Sequence, residues 1–170
     1  ILMTGIPRDY YVTLDSKGAK DKLTHSGIYG VNETVNTISN LLDTKMDYYF
    51  RINFSSLINV VDVLGGIDVY SDKTFIPHTN PSIQINEGVN HMDGTMALAF
   101  SRERYAYESG DRHRIQNQQD VMMAIINKLL TPSVISNGVV SDFANTLTLS
   151  TATSTFPVFI SGLISFSARN

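Results

Sequence analysis

The chain has 170 residues, enough for one domain with a substantial core and too few for two of ordinary size. An apolar fraction of 42% and a charged fraction of 17% fit a globular protein in water, and no apolar run approaches the ~18 residues of a membrane span. The net charge of −3 argues against a broad nucleic-acid footprint, which needs a basic face, and the absence of cysteine excludes disulfides and thiol chemistry.

Residues 1–6 (ILMTGI) read as a short strand covered on both faces, because the apolar character runs almost without alternation. The strand opens the chain with no lead-in and no methionine at position 1, so the true N-terminus, with any anchor, is expected upstream. It runs into Pro7, Arg8 and Asp9, where a proline-fixed turn can aim the Arg8 guanidinium along a sheet edge; an exposed loop charge is the commoner situation for that residue type. Residues 10–14 (YYVTL) are a second strand candidate. Residues 15–25 (DSKGAKDKLTH), polar and carrying Lys17, Lys20 and Lys22, read as an exposed loop.

Val31, Val35, Ile38, Leu41 and Leu42 keep a helical period, with Asn32 as a fair N-cap and an end near Asp43. Residues 46–54 (MDYYFRINF) alternate aromatic and polar side chains as a strand would, with Arg51 read as an ion-pair partner of Asp47. Ser55 and Ser56 can cap a helix whose Leu57, Val60, Val61 and Leu64 fall on one face, and Gly65 and Gly66 end it. Ile67, Val69 and Tyr70 form a strand, while residues 72–90 read as loop with a possible edge strand at 82–85. His91 has no second histidine at ligand spacing. The alternation of helices and strands points to an α/β or α+β sandwich forming one domain over residues 1–170.

Asp93 can cap a helix that leads to the densest basic region of the chain. Four of the seven arginines, Arg102, Arg104, Arg112 and Arg114, lie within thirteen residues. Arginine's planar fork matches an oxyanion bidentately and cannot shed its charge, so a phosphate group is the natural partner. Glu103, Glu108 and Asp111 are interleaved, and residues 101–114 net only +1, so charge alone slightly favours an ordinary surface laced with ion pairs. Arg102 and Arg104 share a face only if the chain is extended around residues 100–105. After Gly110, Asp111 looks like the N-cap of a helix ending near Leu130, with Asp111, Arg114 and Gln118 on one stripe and Ile115, Met122, Ile126 and Leu129 on the apolar one. Its first turns present polar side chains and N–H donors together, the arrangement that favours anions. Beyond Pro132 two weak helical patterns follow, at 134–149 and 156–166; the second is apolar enough to line a lipid groove, although packing on the core is the more ordinary use.

The ordered blocks IPRDYYV, KLTHSGIYG, VVDVLGGIDV, MDGTMALAFSRER and GDRHRIQNQQ resemble the LytR-CpsA-Psr (LCP) family of bacterial cell-envelope proteins, nearest to its capsule-associated CpsA branch, over residues 1–130. The resemblance implies an α/β/α sandwich, with a central mixed sheet flanked by helices, in the extracytoplasmic part of a membrane-anchored protein. It further implies a phosphotransferase that moves a glycopolymer from a polyprenyl-pyrophosphate carrier to peptidoglycan through a phosphodiester, at the membrane lipid surface and with Mg2+ as cofactor. By the same resemblance Arg8, Arg102, Arg104, Arg114, Gln118 and, less firmly matched, Lys22 contact the pyrophosphate, with Arg102, Arg104 and Arg114 catalytic. Asp111 orients the set, Asp9 is a further supporting acid, and the metal-binding aspartates are expected upstream of residue 1. The alternative is a non-catalytic polyprenyl-phosphate-binding regulator of capsule synthesis and chain length. A DNA-binding regulator is disfavoured by the −4 carried by the rest of the chain.

Overall fold

The structure, a computed structural model, describes residues 4–46, 49 and 52–132, apart from the side chain of Asp111. The chain divides into two compact units at residues 51 and 52. The expected strands at 1–6 and 46–54 fall partly outside the described residues, as Arg51 and the tail patterns at 134–149 and 156–166 do entirely.

In the first unit, β1 (Tyr11–Thr13) pairs antiparallel with β2 (Lys20–Lys22), Val12 facing Asp21. The helical turn α1 (Leu23–Ser26) and one 3-10 turn (Gly27–Tyr29) follow, and Gly30, at φ 107°, redirects the chain into α2 (Val31–Leu42). Val12 and Leu14, two residues apart, turn inward onto Ile6, Leu23 and Ile38 while Tyr11 and Thr13 face out. The hairpin turn is strapped to α2: both oxygens of buried Glu33 accept from Ser16 N at 3.1 Å, and Thr37 Oγ1 accepts from Asp15 N at 3.1 Å.

Two expectations change here. Residues 15–25 are not one exposed loop, because Lys20–Lys22 forms a strand and Leu23–Ser26 a helical turn; the polar triplet is ordered by its partner strand and carries no apolar alternation of its own. Gly30 occupies the N-cap of α2 in place of Asn32, since the bend into the helix needs a positive φ. Asp43 ends α2 in the left-handed conformation.

The second unit begins with α3 (Phe54–Val63). Its cap is Asn53, whose Oδ1 accepts from Ser56 N at 2.8 Å and Ser56 Oγ at 2.7 Å, so Ser56 receives the cap that the sequence assigned to it. Phe54 therefore opens a helix instead of closing a strand. Gly65 (φ 71°) and Gly66 (φ 87°) then turn the chain into β3 (Ile67–Ser71), antiparallel to β4 (Gly88–Met92) with Val69 opposite Asn90. The first three residues of β4 belong to the stretch 72–90 expected to be loop: the strand's inward residues are Asn90 and Met92, and Asn90 is admitted because its Nδ2 donates to Asn86 O at 2.7 Å and Gly88 O at 3.0 Å. The expected edge strand at 82–85 amounts to one bridge between Ile85 and Phe75.

α4 (Gly94–Arg102) is capped by Asp93 as expected, Oδ1 accepting from Met96 N at 2.8 Å. It packs on α3 so closely at Gly94 that a Cβ there would stand 2.3 Å from Ile58 O. α5 (Asp111–Leu129) starts from Gly110 at φ 49°, so Gly110 and not Asp111 is its N-cap. Its buried stripe is Asn117, Val121, Met122 and Ile125, rotated from the expected Ile115, Met122, Ile126 and Leu129 because Asn117 finds an acceptor in the core. Helices and strands mix throughout, and the class is α/β.

Candidate functional site

The arginines of the second unit stand around the turn that joins α4 to α5. Arg102 is the last residue of α4 and exposed, its guanidinium carbon 4.5 Å from the ring centroid of Phe54 at the start of α3. Glu103 leaves the helix in extended conformation, φ −67° and ψ 137°, and its residue exposure is 1%. Arg104 is exposed again, Nη2 donating to Tyr105 Oη at 2.9 Å. The helix runs through Arg102, so residues 100–102 are helical and not extended as a shared face would need; it gives way at Glu103, which turns inward between two exposed arginines.

Glu103, counted in the sequence only as one of three interleaved acids, is buried and fully engaged by backbone donors. Oε1 accepts from the backbone N–H groups of Arg104 (2.9 Å), Tyr105 (2.6 Å) and Ala106 (3.0 Å), and Oε2 from His78 N (2.6 Å). Burial pushes its pKa up, but the N–H donors of His78, Ala106, Tyr105 and Arg104 outweigh that and hold it below the usual glutamate value. The signal was present in the pattern arginine-acid-arginine: if both arginines face out of an extended turn, the residue between them faces in.

Further contacts fasten the same turn. Lys73 Nζ donates to Ala106 O and lies 4.3 Å from the centroid of the Tyr107 ring. Tyr107 stacks on His113 at 3.3 Å and meets Phe75 edge-on at 5.5 Å. Burial raises the Tyr107 pKa to about 12, with Ser71 opposing the shift and Asp72 adding to it, so the ring stays neutral at physiological pH.

On α5, Arg112 is exposed while Arg114 and Gln118 are half-buried and one turn apart on the same side of the helix. Gln118 Oε1 is buried with no hydrogen-bond partner among the described residues, and its amide can turn over to offer a donor instead. Between these two residues Asn117 Nδ2 donates to Phe100 O at 3.1 Å, tying the early turns of α5 to the end of α4, two residues before Arg102. Arg102, Arg104, Arg114 and Gln118 are thereby carried by one packed assembly of α4, the turn and α5. The side chain of Asp111, expected to orient the arginines, lies outside what is described.

In the first unit, Arg8 and Lys22 are gathered by Asp9. Arg8 Nε donates to Asp9 Oδ2 at 3.4 Å, and Lys22 Nζ lies 3.2 Å from Asp9 Oδ1. The Lys22 hydrogen bond, helped by the charges of Lys22 and Arg8, holds the Asp9 carboxyl below its usual range against the opposing effect of burial. Backbone bonds fix the arrangement: Thr24 N donates to Arg8 O and Leu23 N to Tyr10 O, both at 2.8 Å. All three side chains are about half exposed, so the cluster has donors to offer an anion without breaking its own contacts. Among the described residues no three His, Asp or Glu side chains gather as a metal cage, and these residues do not themselves fit an Mg2+ centre.

The LytR_cpsA_psr family model matches residues 1–162. The polyisoprenyl-teichoic acid–peptidoglycan teichoic acid transferase TagU of Bacillus subtilis (strain 168) is 39% identical over 127 residues, 74% of this chain and 40% of that protein. The chain therefore spans less than half the length of this relative. Among solved structures, B. subtilis TagV superposes with a TM-score of 0.71 at 31% identity, over 84% of this chain and 55% of TagV. TagT, solved with octaprenyl pyrophosphate bound, gives a TM-score of 0.62 at 29% identity, over 81% of this chain and 59% of TagT. With most of its length matched by the family model and its fold shared with these structures, the chain belongs to the LytR-CpsA-Psr family.

Proposed function

We propose that the chain is the polyprenyl-pyrophosphate-binding and transfer portion of a glycopolymer–peptidoglycan phosphotransferase acting at the extracytoplasmic face of the membrane. The observation that carries this reading is the α4–α5 turn, where Arg102 and Arg104 project from either side of a buried, fully hydrogen-bonded Glu103. Support comes from relatives named for teichoic acid transfer and from a family structure holding octaprenyl pyrophosphate.

A peptidoglycan sugar hydroxyl attacks the phosphorus that bears the glycan. A new P–O bond forms, the bond to the bridging oxygen breaks, and polyprenyl phosphate leaves, the hydroxyl proton passing to the released phosphate or to water. The arginines contribute charge: the bridging and leaving oxygens gain negative charge as that bond loosens, and guanidinium forks fixed beforehand stabilise it without reorganising. Arg102, Arg104 and Arg114 take this role, with Gln118 as a further contact to the pyrophosphate and Asp111 supporting them; in the first unit, Arg8 and Lys22, gathered by Asp9, are proposed by themselves as anion contacts. Bound Mg2+ would add positive charge to the pyrophosphate. The polymer is a teichoic acid or a capsular polysaccharide.

Binding of farnesyl pyrophosphate, a short polyprenyl pyrophosphate, tests the site. Arg102→Ala, Arg104→Ala and Arg114→Ala each weaken it about tenfold or more, the loss of one charge-assisted contact. Lys17→Ala changes little, since Lys17 is engaged on the Tyr29 ring at 4.7 Å. Equal and negligible effects in all four variants refute the assignment. Binding of the lipid without glycan transfer in a reconstituted assay selects the regulator over the enzyme.

A further inference from the structure

We propose that Glu103 is a positioning residue: its buried carboxylate shapes the turn that presents Arg102 and Arg104 before any ligand arrives, and so raises affinity for a pyrophosphate although its own charge repels one. The proposal rests on the function argued above and adds a residue to it. An acid placed between two anion-binding arginines is electrostatically unfavourable for an incoming polyanion. A solvated acid at this position would swing away or pair loosely with its neighbours. Glu103 does neither, being buried with both oxygens occupied by backbone donors.

The two oxygens have different tasks. Oε1 gathers the consecutive N–H groups of Arg104, Tyr105 and Ala106, which curls the backbone directly after the helix and fixes the direction in which Arg104 departs. Oε2 reaches across to His78 N, twenty-five residues earlier in sequence, and so anchors the curl to the segment between β3 and β4. The rings of His78 and Tyr105 lie 4.6 Å apart on that connection, and Tyr105 in turn holds Arg104. Glutamine is nearly isosteric but cannot replace this acid. Its single carbonyl oxygen can serve the curl or His78, and in either orientation the NH2 group meets N–H donors with another donor.

The test turns on the sign of the effect. If Glu103 acted only as a nearby negative charge, Glu103→Gln would tighten farnesyl pyrophosphate binding; if it positions the arginines, the same change weakens it, by about tenfold for a turn whose buried donors lose their acceptor. The measurement is calorimetric titration of the whole chain at fixed ionic strength. Val60→Ala serves as control: Val60 is fully buried on α3, and a cavity there lowers the melting temperature without altering the affinity of the folded protein. Glu103→Asp keeps the charge with a shorter reach and binds between wild type and Glu103→Gln; should the glutamine variant not fold, weaker binding by Glu103→Asp supports the proposal and unchanged binding overturns it. Binding by Glu103→Gln equal to or tighter than wild type overturns it while leaving the arginine assignment standing. Failure of the wild-type chain to bind overturns the pyrophosphate function, and this proposal with it.

Discussion

Gly94→Ala separates two physical effects that predict opposite signs. Gly94 is the first residue of α4, and alanine is the better helix former by about 1 kcal/mol, so propensity alone says the variant gains stability. Packing says the reverse. An added Cβ would lie 2.3 Å from Ile58 O, 2.6 Å from Ile58 Cα and 2.7 Å from Ile58 C, all backbone atoms of α3 that no rotamer change can remove. Restoring ordinary contact at 3.4 Å requires α3 and α4 to separate by about 1 Å, and overpacking of this kind costs about 3 kcal/mol at the upper end of its range. That shift also stretches the 2.8 Å bond from Gly94 N to Asp62 Oδ1, costing about 1 kcal/mol more. The net expectation is a loss of about 3 kcal/mol, to which Gly65→Ala is the comparison. Gly65 has φ 71° and, among the described residues, nothing within 4 Å of a Cβ, so its penalty is conformational, about 1 to 2 kcal/mol. The chain has no tryptophan, so urea unfolding is followed by far-ultraviolet circular dichroism. A Gly94→Ala variant as stable as wild type, or less affected than Gly65→Ala, refutes the close approach of α3 and α4.

Glu103 has a folded-state pKa below its ordinary 4.5, so its contribution to stability is present above that value and is lost as acid titrates it through the lower folded value; an acid melt of Glu103→Gln lacks this component. Asp120 is shifted the other way, chiefly by burial, with the Gln116 bond and His113 opposing and Asp72 adding; the folded protein holds this proton longer, and stability falls as pH rises through the region above 3.8. Asp120→Asn keeps an acceptor for Gln116 Nε2, now at 2.9 Å, and should be the more stable form at neutral pH, with the gain vanishing in acid. Tyr107 is expected to titrate at about 12 against an ordinary 10.0, so stability declines as pH rises from 10 to 12, and ultraviolet absorbance should show one tyrosine ionising late. Asn117→Ala removes the bond to Phe100 O, lowers stability by about 1 to 2 kcal/mol and loosens α5 from the end of α4; an unchanged urea midpoint would count against that link.

Much of the helical framework was legible because its signals are local. Asp93, the glycine pair at 65 and 66, and the end of α2 at Asp43 act within a turn of themselves, and each was read in place. The failures share a cause, which is order supplied from elsewhere in the chain. Lys20–Lys22 has no alternation to betray a strand, because its pairing with Tyr11–Thr13 decides the matter. Gly88–Met92 hides an inward asparagine, admissible only because Asn86 and Gly88 supply acceptors. The rotation of α5 turns on another such asparagine, Asn117, whose partner lies on α4. Hydrophobic period cannot see a polar residue that the core satisfies.

The same limit explains why the arginine cluster was visible and its organising residue was not. Counting Glu103 as one of three interleaved acids gave residues 101–114 a net charge of +1 and made an ordinary ion-paired surface the slightly better reading. That count assumed each acid faced the solvent beside the arginines and competed with an anion for them. Glu103 is instead buried, and its lone pairs are engaged by four backbone N–H groups, one of them contributed from residue 78. Its formal charge remains, but both oxygens are committed to shaping the backbone, while Arg102 and Arg104 emerge exposed on either side of it. An acid interleaved with arginines can therefore be part of the scaffold of an anion site. The distinguishing feature is the hydrogen-bonding role of the backbone around it, which residue type and net charge do not record.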